Sequence, residues 1–419
     1  MLVLFEIIVS VTFILLSAWS MYNLPVFLIG LRSLTRPLKV PWGSTDLNDL
    51  SFSLIVPMKN ELKVAKRSLE ALLALDYPSS KFEILVVDDG STDGTSLVLK
   101  ELAVKHADRV KLLQNTNSNG KAAALNYALK HASGDVVGVF DADNVPDRDS
   151  LKKVSKYFND AEVAAVQGVI DSINAEENMW TRILHYEAFL RMQVFQKGKD
   201  VLGLFVALAG SCQFIRREVL EETGGWRVGS LSEDLDLSAQ LVEKRHTIRF
   251  ALDVRSSEEN ASSLGAFFKQ RLRWARGSME VGLRYGRLMK NLTRKSVDAE
   301  IFLLGPHLVA FSSVVYLLGI FSLFASVTYG FVSSTLALLL SIFTGLTLLA
   351  AGVALMYRAK PRKVSNAKWI PFLYLFWGLN NFVAVYALGQ IILRRPRIWR
   401  KTPRSGVVTE TCSRNIEYK

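Results

Sequence analysis

Cysteine is nearly missing: Cys212 and Cys412 are the only two in 419 residues. That excludes a disulfide framework and a thiolate metal site, and it suits a reducing compartment. No G-x-G-x-x-G opens the first helical pattern, which argues against a dinucleotide cofactor. No G-x-x-x-x-G-K-[ST] occurs, so the chain is not a P-loop ATPase. Acids are in deficit, 39 against 51 Lys and Arg, for a formal charge of +12. No basic stretch interleaves with aromatics as nucleic-acid surfaces do. The surplus is therefore assigned to membrane-facing segments and an anionic ligand, with no nucleic acid.

Charge is absent altogether from long stretches. Residues 1–31 hold one charge, Glu6, while 301–357 and 369–393 hold no Lys, Arg, Asp or Glu. Each run exceeds the roughly 20 apolar residues needed to cross a bilayer. The first lacks a basic start and a small-residue cleavage site, so it reads as an anchor and not a secretory signal. The expected division is a transmembrane helix (1–31), a soluble domain (32–262), amphipathic interfacial helices (263–300), a transmembrane region (301–393) and a basic tail (394–419). Arg32, Arg36 and Lys39 flank the first span, which predicts a cytoplasmic domain in a multi-pass protein of the plasma membrane. Residues 358–368 carry five basic residues and 394–404 carry six. One span at 369–393 cannot put both inside. Either that segment is re-entrant or interfacial, for which Asn380 and Asn381 at its middle are suited, or one cluster breaks the rule.

Within the soluble domain, short apolar runs alternate with helical patterns: strands at 51–57, 82–88, 109–114 and 135–140, with helices between. This predicts an α/β domain with a mostly parallel sheet covered on both faces. Ligands of such sheets bind beyond the carboxyl ends of the strands. Three polar clusters fall there: "PMKNE" from Pro57 to Glu61, "DDGSTDGT" from Asp88, and "DADN" from Asp141. If the strand continues through "DADN", Asp141 and Asp143 point the same way. A divalent cation would then relieve their repulsion, although a helix cap and a solvated acid explain the same string. Ser91 and Thr92 are expected to open a helix. Further on, Ser230 and Glu233 have capping-box spacing, which leaves Asp234 without a structural task. Gln270, Arg273 and Trp274 share one helix face, an arrangement suited to holding a phosphate and stacking on a sugar ring. Arg271, Arg276 and Arg284 are expected to meet lipid headgroups on other faces.

In order and spacing, "SLIVPMKNE", "VVDDGSTDGT", "GKAAALN", "DADN", "AGSCQFIRRE", "GGW", "SEDLDLS" and "QRLRW" resemble the inverting family-2 glycosyltransferases. They are most similar to the membrane-embedded branch that includes cellulose, chitin, hyaluronan and poly-N-acetylglucosamine synthases. The tail string "WRKTPR" is similar to the cytoplasmic tails of such enzymes. The resemblance implies a GT-A domain, Rossmann-like and mostly parallel, on an α-helical transmembrane base. It implies that Pro57, Glu61, Asp88, Asp89, Lys121, Asp141, Gln270 and Arg273 hold a UDP-sugar. Asp141 and Asp143 would place Mg²⁺ or Mn²⁺, and Asp234 would be the general base. Trp274, Glu233 and Ser211 would face the acceptor. Ser232 stands where Thr is usual, and "AGSC" is not the acceptor motif of cellulose synthases. The leading expectation is a β-linked polysaccharide extended at the membrane, with translocation and with a homo-oligomer or accessory subunit left open. The alternative is a single sugar moved to a membrane lipid.

Overall fold

The structure, a computed structural model, describes residues 2–35, 50–115, 119–324, 331–359, 362–397 and 401–409. Arg36, Lys39, Lys360, Trp399, Arg400 and Cys412 lie outside them.

The N-terminal apolar run is one helix, α1 (Leu2–Ser33). The four expected strands follow as β1 (Phe52–Met58), β2 (Phe82–Asp88), β3 (Val110–Gln114) and β4 (Val136–Val139). They pair in parallel in the order β3-β2-β1-β4. Parallel pairing needs crossover connections, supplied by α2 (Ala65–Leu73), α3 (Thr95–Lys105) and α4 (Lys121–Leu129). Helices cover both faces, so β1 and β2 are buried almost throughout and read as continuous apolar runs. Leu54, Val56, Ile84 and Val86 pack into one core, while Ile55, Leu85, Val87 and Val137 pack into the other. The α3 helix starts at Thr95 and not at Ser91, because Gly90 and Gly94 carry the chain through positive φ first.

The next segments are β5 (Val145–Pro146), α5 (Ser150–Ser155), β6 (Val163–Ser172) and α6 (Met179–Ala188), the last continuing as a π-helix, Phe189–Gln196. Then come α7 (Lys197–Val201), β7 (Gln213–Arg216), α8 (Arg217–Thr223), α9 (Glu233–Glu243) and β8 (Thr247–Glu258). The full sheet has eight strands in the order β3-β2-β1-β4-β7-β6-β8-β5. It is mixed, with β7 antiparallel to both neighbours and β8 parallel to β6. Strand order reverses between β1 and β4, which opens a crevice at their carboxyl ends.

The remaining helices are α10 (Leu264–Tyr285), α11 (Arg294–Phe324), α12 (Phe331–Tyr357) and α13 (Ile370–Ile392). Among the described residues, three helical stretches are long and apolar enough to cross a membrane: Glu6–Ser33, Thr335–Tyr357 and Val364–Ile392. The arginines of α10 do not face lipid headgroups as expected. Arg271 pairs with Glu187 at 2.7 Å. Arg276 is buried, pairs with Glu280 at 3.0 Å and donates to the Pro396 carbonyl at 2.9 Å. Arg284 pairs with the buried Asp236. Their charges serve the interior because buried carboxylates are there to meet them.

Asn380 donates to the Phe376 carbonyl one turn back, so it does not interrupt α13. Trp369, just before α13, lies against Tyr186 of α6, and Gln390 near its end accepts from Arg276 of α10. Both ends of α13 therefore touch the layer beneath the catalytic sheet.

The base meets that layer at two glycines. A Cβ on Gly30 of α1 would lie 1.9 Å from the Val194 carbonyl oxygen, and one on Gly198 of α7 would lie 2.0 Å from that of Val26. Neither helix can carry a side chain there. Gly198→Ala should force the helices apart and cost about 1–3 kcal/mol, as overpacking does. The check is the thermal midpoint in detergent, with Gly378→Ala, which meets nothing within 4 Å, as the control that changes little.

Candidate active site

A cavity of about 530 Å³ opens at the carboxyl ends of β1, β2 and β4, between the sheet and α10. Pro57 and Glu61 form part of its wall at the end of β1. After β2 the chain presents two aspartates with different environments. Asp88 is turned into the loop, accepting the Ser91 N–H at 3.0 Å and a bond from the Ser96 hydroxyl. Asp89 accepts from the Asn115 side chain at 2.7 Å and faces the cavity. Of the two residues expected to meet the nucleotide, only Asp89 is on the wall.

Lys121 opens α4, and its Nζ lies 2.6 Å from Asp141 Oδ1 and 3.4 Å from Glu233 Oε1. It also donates to the Gly210 carbonyl at 2.9 Å. Burial opposes its charge, but Asp141, Glu233 and Asp234 outweigh that and hold it above the usual lysine range.

The two acids of "DADN" do not sit on a strand. β4 stops at Val139, and the Asn144 N–H closes a turn onto the Asp141 carbonyl at 3.0 Å. Alternation therefore does not apply, and the shared direction expected from it is replaced by separate partners. Asp141 meets Lys121. Asp143 is buried, accepts the Glu259 N–H at 2.7 Å and lies 3.0 Å from the Arg404 guanidinium. Burial pushes the Asp143 carboxyl up, with Arg404 opposing and Asp141 adding to the rise.

Glu233 and Asp234 occupy the first turn of α9. No capping box forms: the residue before the helix is Ser232, and its side chain makes no cap bond. Glu233 instead faces Lys121 and not the cap that its spacing from Ser230 had suggested. Asp234 accepts the Leu235 N–H at 2.8 Å. Burial pushes its carboxyl up to about 7, reinforced by Glu233 and opposed by Lys121 and Arg273. Ser211 is fully buried and accepts the Asp141 N–H at 3.0 Å, so it stands behind the wall and not toward an acceptor.

Gln270, Arg273 and Trp274 of α10 all reach the cavity. The Arg271 and Arg191 guanidinium groups lie 4.7 and 6.0 Å from the centre of the Trp274 ring, and both pair with Glu187.

Sequence reasoning missed the part played by the tail. Residues 401–409 return to the domain. Lys401 lies 3.0 Å from Glu61 Oε1, while Ser405 and Gly406 donate backbone N–H groups to Glu259 at 2.8 and 3.1 Å. Lys401, Thr402 and Arg404 line the cavity, as does Glu258. Burial pushes the Glu61 carboxyl up to about 7 against the pull of Lys401. The basic density of 394–404 was the available signal, but it points equally well to lipid.

Residues 49–277 match the model of the "Glycosyltransferase like family 2" group. The chain belongs to glycosyltransferase family 2. A beta-monoglucosyldiacylglycerol synthase of Nostoc is 35% identical over 267 residues, which is 62% of this chain and 57% of that protein. A probable glycosyltransferase of Bacillus subtilis is 30% identical over 68% of this chain and 69% of its own length. A cellulose synthase catalytic subunit of Xanthomonas axonopodis is 28% identical over 62% of this chain and 36% of its own. The glycosyltransferase thus spans little more than half the length of the Nostoc relative. The fold is GT-A. A mannosyltransferase of Pyrobaculum calidifontis, solved with GDP-Man and Mn²⁺, superposes with a TM-score of 0.61, 22% identity, 93% of this chain and 100% of that one.

Gly210 has φ +80°, and a Cβ there would lie 3.1 Å from Asp234 Oδ2 and 3.3 Å from Lys121 Nζ. Gly210→Ala should be destabilising by about 1–3 kcal/mol, since it adds backbone strain to that crowding. Denaturant unfolding of the detergent-solubilised protein measures the loss.

Proposed function

We propose that this glycosyltransferase moves one hexosyl unit, with inversion, from a UDP-sugar to the hydroxyl of a membrane lipid of the diacylglycerol class. The observation that carries this reading is the two-sided cavity. Asp89, Lys121, Asp141 and Asp143 line the sheet side. Leu184 and Ala188 of α6, Phe195 of the π-helix and Phe302 of α11 line the opposite side. An acceptor with a polar tip and an apolar body suits that lining, and the Nostoc relative's name describes such an acceptor. Polysaccharide synthesis, the leading expectation from the sequence, becomes the second reading. Cellulose synthase is the more distant relative, and the Trp274 ring, cast as a sugar platform, already carries Arg271.

In this reading the nucleotide lies along Pro57, Glu61 and Asp89. Gln270 and Arg273 close over its diphosphate. Lys121 fixes Asp141, Glu233 and the Gly210 loop as one wall. Asp234 takes the proton of the attacking hydroxyl, and the hydroxyl oxygen displaces UDP from the anomeric carbon on the opposite face.

The residues present fit a divalent cation. Asp143 Oδ1 is buried and has no hydrogen-bond donor of good geometry, although Arg404 stands near. Two carboxylates completed by diphosphate oxygens make a Mg²⁺-type site, and Mn²⁺ has similar requirements. Among the described residues no group of three His, Cys, Asp or Glu forms a metal site without substrate. Bound between Asp141, Asp143 and the diphosphate, the ion would neutralise charge on the leaving group.

In this reading the catalytic domain faces the cytoplasm, where nucleotide sugars are, and the tail that reaches it lies on the same side.

Asp234→Asn should keep UDP binding and lose ~10²–10⁴ in transfer rate. Its carboxyl must be unprotonated to accept a proton, so wild-type kcat/KM should fall as pH drops through about 7. Lys121→Met removes a cation that opposes the rise, and should move that acid limb to higher pH. The function itself is tested with purified protein, a panel of labelled UDP-sugars and dioleoylglycerol. One labelled lipid is expected. A ladder of high-mass product formed without added lipid would restore the polysaccharide reading.

A further inference from the structure

The wall of the cavity opposite the strand ends is built from helices and backed by a buried ion pair. Leu184, Ala188, Arg191 and Phe195 recur along α6 and the π-helix as one stripe toward the cavity, with Phe302 of α11 on the same wall. Phe195 and Phe302 are both half-buried. Behind them lies Lys199, whose side chain is 2% exposed. Its Nζ sits 5.3 Å from the Phe195 ring centre and 4.9 Å from that of Phe302. Asp298 of α11 receives it at 2.9 and 2.8 Å and also accepts from the Tyr22 hydroxyl of α1 and the Phe205 N–H, each at 2.8 Å.

A buried ion pair is a poor source of stability, because desolvation cancels most of the attraction. It does fix geometry, since every donor and acceptor must be met. This one ties α1, α7 and α11 together directly behind two aromatic rings. The Val194 carbonyl, one residue from Phe195, is pinned by Gly30 from the far side.

We propose that Phe195 and Phe302 form a collar around the apolar part of the acceptor next to its attacking hydroxyl, the glycerol carbons and first acyl methylenes of a diacylglycerol. Lys199, held by Asp298 and Tyr22, is the positioning residue that sets the spacing of the collar. The inference rests on the lipid-acceptor reading and names the residues that select for it. Those rings meet the acceptor only; the nucleotide contacts lie at the strand ends and on α10.

The test uses the full-length protein in detergent with UDP-glucose and dioleoylglycerol. Phe302→Ala and Phe195→Ala should each raise the dioleoylglycerol KM about ten-fold, the scale of one lost aromatic contact, while calorimetric UDP affinity stays at the wild-type value. An unchanged acceptor KM in both would overturn the collar. If either alanine variant fails to fold, Phe302→Leu and Phe195→Leu replace them, with a smaller rise expected and equality with wild type again decisive against it. Lys199→Met should raise the acceptor KM without raising the donor KM, and Lys199→Arg should restore most of it. Equal rises in both KM values would mark Lys199 as merely structural and remove it from the proposal. Failure of the lipid reading looks different: the wild type itself would label no diacylglycerol.

Discussion

The Lys121 ammonium is the interaction on which the site depends. It sits among Asp141 from the turn after β4, Glu233 from α9 and the Gly210 carbonyl from the loop before β7. These segments come from parts of the chain that share no local structure. Without a cation between them, Asp141, Glu233 and Asp234 would concentrate negative charge in a half-closed space, and one or more would protonate. The same charge opposes the rise in the Asp234 carboxyl. One side chain thus joins the turn after β4 to the first turn of α9.

The parallel half of the sheet was legible in the sequence because burial on both faces leaves unbroken apolar strands. "SLIV" and "EILVV" could hardly be anything else once helical patterns flanked them. The motif residues were legible as a set, but not in their individual geometry. "DADN" looked like strand because Phe140 is apolar, yet pairing with β1 and β7 ends at Val139, and the acids belong to a turn. Asp88 and Asp89 are neighbours with opposite fates, decided by Ser91 and Ser96, whose donors capture the first. The α10 arginines misled for a different reason. Basic residues on an amphipathic helix suggest headgroups, but Glu187 and Asp236 are buried partners from distant segments that no local pattern reveals.

Acceptor choice is the finer question, and motifs shared between polymer and lipid enzymes carry little about it. What separates the readings is the material of the second wall. Aromatic and aliphatic residues from α6, the π-helix and α11 sit where the catalytic domain meets its base. The close approach at Gly30 and Gly198 lets α1 support that wall from behind. The apolar stretches therefore bear on the cavity only through the helices packed between them and the sheet.

The return of the tail has a consequence for how the protein matures. Lys401 bonds to the carbonyl of Lys59 across 342 residues of chain. Two of the long apolar helical stretches, Thr335–Tyr357 and Val364–Ile392, are made in between. A ribosome that has completed the whole sheet, α9 and α10 has still not delivered the residues that roof the cavity. The nascent chain carries Asp141, Asp143 and Asp234 with part of the cavity lining missing, and that part arrives only after α12 and α13 have been made. Completion of the cavity is thereby timed to follow the making of both helices, so that a chain stalled or cut before residue 401 would leave those acids open to solvent.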